Sequence, residues 1–443
     1  MDVSWIHDPA LLKPMFDFAF YYPLFMAWMW MIGGIWYYYH YERKDSADPD
    51  FEPELSYVPK VSIIVPCYNE EDNVEEVVAY LDKMHYPDFE IICINDGSKD
   101  RTGELLDKLL TQFPKLRVIH QAKNQGKAVG LNTAAAVAKS EFLLCIDGDA
   151  ILDPHIIPWM VRHFDSSRVA AVTGNPRIRT RSTLLGKIQV GEFSTIIGLI
   201  KRAQRSYGRI FTVSGVVTMF RKSAMHRVGY WSPEMMTEDI DISWKLQTAH
   251  WEIRYEPRAL CWILMPETLS GLWKQRTRWA MGGIQVIGKY FPILRHWKQR
   301  RMWPIYIEYL TSVIWAFCMA FVMLLWALTM AWPGIPHGFH VGTILPAWHG
   351  VLIGTTCLAQ FFVALMIDRR YEQNLMRYYY WMVWYPLAYW MLTTFSTVWA
   401  VPKTLARKSG KRAVWVSPDR GLRQAPAPVT VPAPTPVKRE TGS

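Results

Sequence analysis

The chain has 443 residues, a formal net charge of +10 at pH 7 and a hydrophobic fraction of 51%, with 22 tryptophans and 22 tyrosines. This apolar and aromatic content is higher than usual for a purely soluble protein. The six cysteines are scattered singly, without the spacing of a metal site or a redox motif, which argues against a disulfide or zinc scaffold. Cys67, Cys93 and Cys145 lie in or beside apolar runs, so we expect buried, reduced thiols in a cytosolic domain.

Long apolar runs predict a membrane protein. Four uncharged runs approach or exceed the roughly 20 residues that cross a bilayer, and they cover residues 18–39, 309–332, 350–367 and 378–402. The first run is too long and too aromatic for a cleaved signal peptide, and no small-residue cleavage site follows it, so we expect a retained anchor. Because Arg43 and Lys44 follow the anchor, the positive-inside rule places the charged segment after it in the cytosol.

Basic residues also predict the sidedness of the later runs. Lysines and arginines from 289 to 301 precede the second run, whereas the loop 333–348 contains neither and is expected outside. Three arginines within 369–377 return the chain to the cytosol. A fourth full span would place the basic residues of 403–412 outside, against the same rule. Pro386 could instead break the last run into a re-entrant pair, and the sequence leaves both topologies open.

The charged segment starts with apolar runs that alternate with helix-like stretches, which is the pattern of an α/β domain. We predict a first strand at Val61–Val65, ended by Pro66, and further strands at residues 91–94, 118–119 and 143–146. These short continuous apolar runs are typical of parallel strands that are covered on both faces.

Acidic residues follow three of these strands. Glu70, Asp96 and Asp147 come after the first, second and fourth strands, and ligands bind beyond the carboxyl ends of parallel strands. Asp147-Gly148-Asp149 offers two hard oxygen ligands without a nearby histidine or cysteine, which favours Mg²⁺ or Mn²⁺ over zinc. The alternative is a solvated Asp-Gly-Asp turn. Lys127 opens a helix after a glycine-containing turn and is well placed to bind a phosphate.

Four motifs, in this order, resemble the nucleotide-sugar-binding half of family 2 glycosyltransferases, which have the GT-A fold. The motifs are Pro66-Cys67-Tyr68-Asn69-Glu70, Asn95-Asp96-Gly97-Ser98, Asn124-Gln125-Gly126-Lys127 and Asp147-Gly148-Asp149. The resemblance implies that Asp96 contacts the nucleoside, that Asp149 binds the metal, and that Asp147 binds the nucleotide or the metal. It also implies that Tyr68 and Glu70 line the uracil pocket. Pro66 and Lys127 are two further nucleotide-binding residues that it implies.

Glycosyl transfer with inversion needs a general base that stands apart from the metal pair. Asp239 is the candidate, and the resemblance of Thr237-Glu238-Asp239 to the family's Thr-Glu-Asp motif supports it. The alternative is that Thr237 caps a helix whose first turn holds acids that favour the helix dipole, and both can hold at once. The preceding stretch Val213–Val217, with the turn at 221–224, resembles the strand and turn of the acceptor floor.

A basic and aromatic stretch, Gln275-Arg276-Thr277-Arg278-Trp279, lies in a helix predicted over 268–280. By composition this is an interfacial amphipathic helix beside a membrane. It also resembles the Gln-x-x-Arg-Trp motif of processive synthases, including those of cellulose, chitin and hyaluronan. That resemblance implies that Trp279 stacks on the terminal acceptor sugar and that the other motif residues face substrate and diphosphate, namely Gln275, Arg276 and Arg278. An aromatic face suits the C–H face of a sugar, and arginine suits a phosphate.

Longer stretches narrow the resemblance to the bacterial branch that polymerises N-acetylglucosamine: 174–182, 186–192, 256–262 and 415–421. This implies transfer from UDP-N-acetylglucosamine (UDP-GlcNAc) to a growing β-1,6-linked biofilm exopolysaccharide, with export through the enzyme's own helices in the bacterial inner membrane. It also implies a small membrane subunit and activation by cyclic di-GMP. The arginine-rich tail 407–420 is a candidate for that site, with anchoring to anionic lipid as the alternative. No nucleic-acid partner is expected.

The sequence thus predicts an α/β, GT-A (Rossmann-like) cytosolic domain with flanking transmembrane and interfacial helices. The predicted segments are an anchor at 1–45, the glycosyltransferase domain at 46–265, interfacial helices at 266–302, a transmembrane region at 303–402 and a basic, then proline-rich tail at 403–443. The proline-rich end is expected to be disordered. Two alternatives stay open. One is another family 2 enzyme, either a chitin-, hyaluronan- or cellulose-type synthase or a non-processive enzyme acting on a lipid carrier. The other is a non-catalytic membrane scaffold.

Overall fold

The structure is a computed structural model that describes residues 9–45, 48, 51–332, 334, 341, 347–408 and 410–414. Several predictions concern stretches that lie largely or wholly outside these residues: the loop 333–348, the stretch 415–421 and the proline-rich end. Half of the candidate cyclic di-GMP segment 407–420 also lies outside them.

A mixed sheet of eight strands forms the centre of the charged segment. The strands are β1 (Val61–Cys67), β2 (Phe89–Asn95), β3 (Leu116–His120), β4 (Phe142–Ile146), β5 (Ile151–Leu152), β6 (Val169–Ile178), β7 (Val217–Arg221) and β8 (Glu252–Ile263). Their order across the sheet is β3-β2-β1-β4-β7-β6-β8-β5. The first four in that order pair in parallel, whereas β7 is antiparallel to both β4 and β6. The predicted α/β class is confirmed.

Helices cover both faces of the sheet and continue into the membrane region. They are α1 (Pro9–Tyr37), α2 (Val74–Asp82), α3 (Thr102–Leu110), α4 (Lys127–Val137), α5 (Ile156–Val161), α6 (Leu184–Phe193), α7 (Ile200–Tyr207), α8 (Lys222–Arg227), α9 (Glu238–Thr248), α10 (Leu269–Tyr290), α11 (Trp303–Ala331), α12 (Ala347–Asp368) and α13 (Trp390–Leu405). Short 3-10 segments lie at Arg162–Asp165, Phe291–Arg295, Trp297–Met302 and Leu375–Trp384, and π-helical segments at Tyr38–Glu42, Ser194–Leu199 and Tyr385–Tyr389.

Alternate residues of the buried strands face opposite sides of the sheet. Ile63 and Val65 of β1 pack in the cluster that contains Leu106 of α3, whereas Ile64 packs in the cluster that contains Leu131 of α4. Both faces are therefore covered, which explains why these strands appear in the sequence as continuous apolar runs.

Strand β1 continues through Pro66 to Cys67, so the prediction that Pro66 ends the strand was wrong. The Cys67 carbonyl accepts a hydrogen bond from the Asp96 N–H at 2.9 Å, on the β2 side. Successive residues of a strand point their backbone groups to opposite sides, so Pro66 faces the β4 side, where pairing extends only from Val61 to Ile64. A residue without an N–H is tolerated there because it removes no ladder bond.

Two other boundaries differ from the prediction. Residues 213–216 precede β7, and the N–H groups of Val213 and Ser214 donate to the side-chain hydroxyls of Ser243 and Thr173 instead of to the backbone of a neighbouring strand. Helix α10 continues to Tyr290 instead of ending at Ala280. Its second half packs against α9 and α11 through the buried Val286, and this packing overrides the low helix propensity of its three glycines.

In the part of the chain that the structure describes, three helical segments are long and apolar enough to cross a membrane: Leu12–Glu42, Trp297–Ala331 and His349–Asp368. They correspond to the first three predicted runs. The fourth run, 378–402, is divided among the 3-10 segment Leu375–Trp384, the π segment Tyr385–Tyr389 and α13. Pro386 lies at the start of the π segment, where it cannot donate a helical hydrogen bond. The structure therefore favours the broken run over a fourth straight span.

The described part of the tail lies against the catalytic domain. The Ala413 N–H donates to the Pro233 carbonyl at 2.8 Å, and the Arg412 guanidinium donates to the Gln125 side chain at 3.0 Å. These contacts place the start of the tail on the same side of the chain's membrane region as the sheet.

A buried network of ion pairs joins the ends of two membrane helices to the catalytic domain. Arg202 of α7 donates to both oxygens of Glu42, at 2.5 and 3.0 Å, and to Asp368 at 2.8 Å. Arg177 of β6 donates to the other oxygen of Asp368 at 2.8 Å. All four side chains are at most 3% exposed. Removal of one partner would leave an uncompensated buried charge, which is strongly destabilising.

We expect Arg202→Met to lower the free energy of unfolding by about 3–5 kcal/mol, because Glu42 and Asp368 would remain buried with fewer counter-charges. Arg205→Met is the matched control on the same helix, since its partner Glu252 is partly exposed and the pair contributes about 0–1 kcal/mol. Thermal unfolding of both variants in detergent measures the difference. Equal shifts for the two variants would contradict the role of the network.

Candidate active site

Lys127 is the central cation of a carboxylate cluster at the carboxyl ends of the strands. It begins α4 directly after Gly126, whose φ of 95° suits glycine. Its Nζ donates to Asp147 Oδ1 at 2.5 Å and to the Gly215 carbonyl at 3.0 Å, and it lies 3.2 Å from Glu238 Oε1. Burial acts to lower the pKa of Lys127, but the charges of Asp147 and Glu238 outweigh it and raise the pKa above its ordinary value. Lys127 is therefore a cation at neutral pH.

Asp149 is the second carboxylate of the predicted metal pair, and it is only 5% exposed. Burial, together with the negative charge of Asp147, raises the pKa of Asp149 to about 8. A divalent cation would stabilise the charged forms of both carboxylates, and this donor set of hard oxygens fits Mg²⁺ or Mn²⁺. Glu70 packs against the same turn, because a Cβ on Gly148 would lie 3.1 Å from Glu70 Cγ.

Asp96 is fully buried and shapes the turn before Lys127. One of its oxygens accepts from the Gln125 N–H at 2.8 Å, and the other accepts from the Gly126 N–H at 2.9 Å. Burial raises the pKa of Asp96, while these two hydrogen bonds oppose the shift. Pro66 lies near the end of β1 and the half-buried Tyr68 follows that strand, so both lie at the same edge of the sheet.

Asp239 lies in the first turn of α9, and a Cβ on Gly215 would lie 3.0 Å from its Oδ2. Burial and the adjacent charge of Glu238 raise the pKa of Asp239 to about 6, which is close to neutrality and suits a general base. Thr237 occupies the cap position, but its side chain makes no capping hydrogen bond among the described residues. The helix start therefore fixes Asp239 without the side-chain cap that the sequence suggested.

Lys201, a buried lysine of α7, was missed by the sequence analysis. Its Nζ donates to Ser214 Oγ at 2.6 Å and to Thr173 Oγ1 at 3.2 Å, which holds the segment before Gly215 in place. Burial lowers the pKa of Lys201 to about 7, and the negative charge of Asp239 opposes this shift. No sequence signal could have identified it, because its partners come from distant parts of the chain.

Helix α10 contributes the predicted motif to the wall of the same site: Gln275, Arg276, Arg278 and Trp279. Arg276 is buried and donates to Glu192 of α6 at 2.5 Å and to the Tyr389 hydroxyl at 2.8 Å. The Arg276 guanidinium also lies 4.3 Å from the centre of the Trp279 ring, within the range of a cation–π contact. Arg276 is thus engaged by protein groups that hold Trp279, whereas Arg278 is the exposed cation of the motif.

One cavity of about 1100 Å³ is lined by Lys127, by the carboxylates around it, by Lys201 and by the α10 motif. Its wall includes the carboxylates of Asp147, Asp149 and Asp239, and also aromatic side chains of the membrane region: Tyr22, Trp30, Tyr309, Trp315, Phe361 and Trp390. The cavity therefore extends from the carboxylate cluster to the space between the membrane helices. Of the predicted site residues, four lie at the sheet edge beside the cavity instead of in its wall: Pro66, Tyr68, Glu70 and Asp96.

The carboxylate cluster at the edge of a mixed sheet, beside a lysine at a helix start, is the site of a GT-A glycosyltransferase. The family model "Glycosyltransferase like family 2" matches residues 59–282, and the chain belongs to the family 2 glycosyltransferases. It is therefore a glycosyltransferase enzyme, as the motifs predicted.

Within the family, the chain is similar to proteins named poly-beta-1,6-N-acetyl-D-glucosamine synthase. The Staphylococcus epidermidis protein is 38% identical over 411 residues, which cover 92% of this chain and 98% of that protein. The Staphylococcus aureus protein is 38% identical over 413 residues, with 92% and 99% covered. A solved mannosyltransferase from Pyrobaculum calidifontis, in complex with GDP-Man and Mn²⁺, shares the fold. Its TM-score is 0.63 at 18% identity, with 90% of this chain and 99% of that chain covered.

The pKa of Asp239 predicts the pH dependence of catalysis. A base must be deprotonated to act, so kcat/KM should rise with pH through about 6 and fall about tenfold per pH unit below it. Asp239→Asn should abolish transfer while UDP binding at pH 7 is retained. Rates from pH 5 to 8, with nucleotide affinity measured at each pH, test this; a flat profile, or transfer by the asparagine variant, would remove Asp239 from the role of base.

Proposed function

We propose that this chain is a membrane-embedded, processive glycosyltransferase that polymerises N-acetylglucosamine from UDP-GlcNAc into a β-1,6-linked biofilm polysaccharide. The observation that carries the proposal is the single cavity shared by the carboxylate cluster and the membrane helices, since a polymer that elongates at one end needs a continuous path away from it. The names of the relatives support the sugar and the linkage.

The positions of the carboxylates support the following transfer step. The acceptor hydroxyl oxygen attacks the anomeric carbon of the donor sugar, its proton passes to Asp239, and the bond from that carbon to the β-phosphate oxygen breaks, which releases UDP. Lys127 and Arg278 place positive charge beside the departing diphosphate. A divalent cation held by Asp147 and Asp149 would neutralise further diphosphate charge. The Mn²⁺ bound in the Pyrobaculum calidifontis mannosyltransferase complex supports this metal class.

Trp279 is proposed as the platform for the terminal acceptor sugar. The Arg276 guanidinium contacts both the Glu192 carboxylate and the Trp279 ring, so the Glu192–Arg276 pair stabilises the position of the Trp279 ring. A fixed aromatic face retains the acceptor between additions, which is the physical requirement for processive synthesis.

The proposed location is the bacterial inner membrane, with the catalytic domain in the cytoplasm. The contact between the described tail and the catalytic domain supports this orientation, because it keeps the basic residues after α13 on the same side as those after α1. We also propose a small membrane subunit and activation by cyclic di-GMP, on the basis of family resemblance and the Arg412 contact with Gln125 beside the donor-site turn. Cyclic di-GMP titration of the chain with and without that subunit tests the second proposal.

Purified full-length enzyme should convert UDP-GlcNAc to polymer in the presence of Mg²⁺ or Mn²⁺ and lose this activity on chelation with EDTA, because the two carboxylates would lose their counter-ion. Parallel incubations with UDP-glucose and UDP-glucuronic acid test the donor, and product sizing separates a polymer from a single transfer to a lipid carrier. A product of one added sugar would overturn processivity, and full activity in EDTA would overturn the metal role.

Trp279→Ala should shorten the product, because it removes a stacking surface that contributes about 1 kcal/mol to acceptor binding while donor contacts remain. Trp279→Phe should have a milder effect, since an aromatic face is kept. The control is Trp332→Ala, which removes an exposed tryptophan at the end of α11. Product length, UDP release and the amount of membrane-bound enzyme are measured on the same preparations. Normal-length polymer from well-folded Trp279→Ala would remove Trp279 from the acceptor site.

A further inference from the structure

A second cavity, of about 450 Å³, is lined entirely by basic side chains: Arg168, Arg209, His250, Lys298, Arg300 and Arg301. They come from separate parts of the chain. Arg168 precedes β6, His250 precedes β8 and Arg209 follows α7, whereas the other three belong to the 3-10 segment Trp297–Met302 before α11. Five of the six are cations at any physiological pH, so their convergence on one small cavity is electrostatically unfavourable unless an anion is present.

The acids nearby offset only part of this charge, because the influence of Glu252 on Arg209 is smaller than the opposing effects of burial and Arg301. Among the residues that the structure describes, none of the six side chains forms an ion pair with an aspartate or a glutamate. Glu252, the neighbouring acid, already pairs with Arg205 and lies 3.5 Å from Arg254 Nε. The buried Nε of Arg209 has no hydrogen-bond partner among the described atoms, so this guanidinium retains an unused donor.

Structural roles explain only part of the cluster. Arg209 and His250 follow the C-terminal ends of α7 and α9, where a cation is favourable. The positive-inside rule explains why Lys298, Arg300 and Arg301 precede a membrane span. Neither effect explains why these two groups converge with Arg168 on the same cavity.

The position of the cavity indicates the source of the missing charge. The segment that carries Lys298, Arg300 and Arg301 is the beginning of the candidate membrane span Trp297–Ala331. Trp297 is 68% exposed beside it, and the nearby Phe291 is 51% exposed. Exposed aromatic rings next to basic side chains at the end of a span are typical of the interface where lipid headgroups lie.

We propose that this basic cavity binds a phosphate group, and that the phosphate belongs to the headgroup of an anionic phospholipid at the membrane surface. The forked donors of the arginines match phosphate oxygens, and the exposed rings of Trp297 and Phe291 contact the adjoining acyl region. The site is separate from the UDP-sugar site, and the two cavities share no lining residue.

The test uses the full chain in an uncharged detergent. Native mass spectrometry measures binding of phosphatidylglycerol, phosphatidylcholine and inorganic phosphate to the wild type and to Arg168→Gln/Arg209→Gln. This variant leaves the basic flank of α11 intact, so the membrane topology is unchanged. Phosphatidylglycerol should bind more tightly than phosphatidylcholine, and the variant should lose roughly tenfold or more of that affinity. The control Lys83→Gln/Lys108→Gln removes the same charge from exposed sites on the β1–β3 side of the sheet.

Transferase activity in phosphatidylcholine micelles verifies that both variants are folded. The proposal is overturned if the control loses as much affinity as the cavity variant, or if the wild type does not distinguish the two lipids and does not bind inorganic phosphate. Cavity-dependent binding of inorganic phosphate without a preference for phosphatidylglycerol would retain the phosphate site and overturn the lipid source.

Discussion

Arg202 bridges the carboxylates of Glu42 and Asp368, and the arrangement of membrane helices around the catalytic domain depends on this bridge. The two acids end the first and third candidate spans, so one buried guanidinium fixes both helices against α7. The approach is close: a Cβ on Gly198 would lie 2.7 Å from Asp368 Oδ2, so only glycine fits there. Lys201, which precedes Arg202 in α7, lines the main cavity. The helix that carries the bridge therefore also forms part of the cavity wall.

Within that cavity, environment distinguishes carboxylates that are chemically alike. Asp147 pairs with Lys127, whereas Asp149 is buried beside Asp147 and needs a counter-charge to ionise. Asp239 is held next to Gly215 in the first turn of α9, and its pKa is raised to about 6. Separate pKa values would allow one site to hold the proposed metal and the proposed general base at once, because each group is charged or neutral according to its own surroundings.

The acceptor side of the cavity depends on contacts between distant elements. Trp279 is held by Arg276, which is held in turn by Glu192 of α6 and by Tyr389 in the broken fourth run. A change in the position of that run would therefore reach the tryptophan through a single guanidinium. This contact links the proposed acceptor site to the membrane region through which the proposed polymer would leave.

The α/β class, the first strands and the acids at their ends could be predicted from the amino-acid pattern alone, because buried parallel strands give continuous apolar runs and strand ends place Asp96 and Asp147 at one edge. The motif around Trp279 was also recognisable, since it is contiguous. The packed structure was needed to show that Pro66 lies inside β1, that Arg276 is buried against Glu192, that Lys201 is buried against Ser214 and that six basic residues share one cavity. Each of these depends on residues far apart in the chain, and their contacts form only when the sheet and the membrane helices pack together.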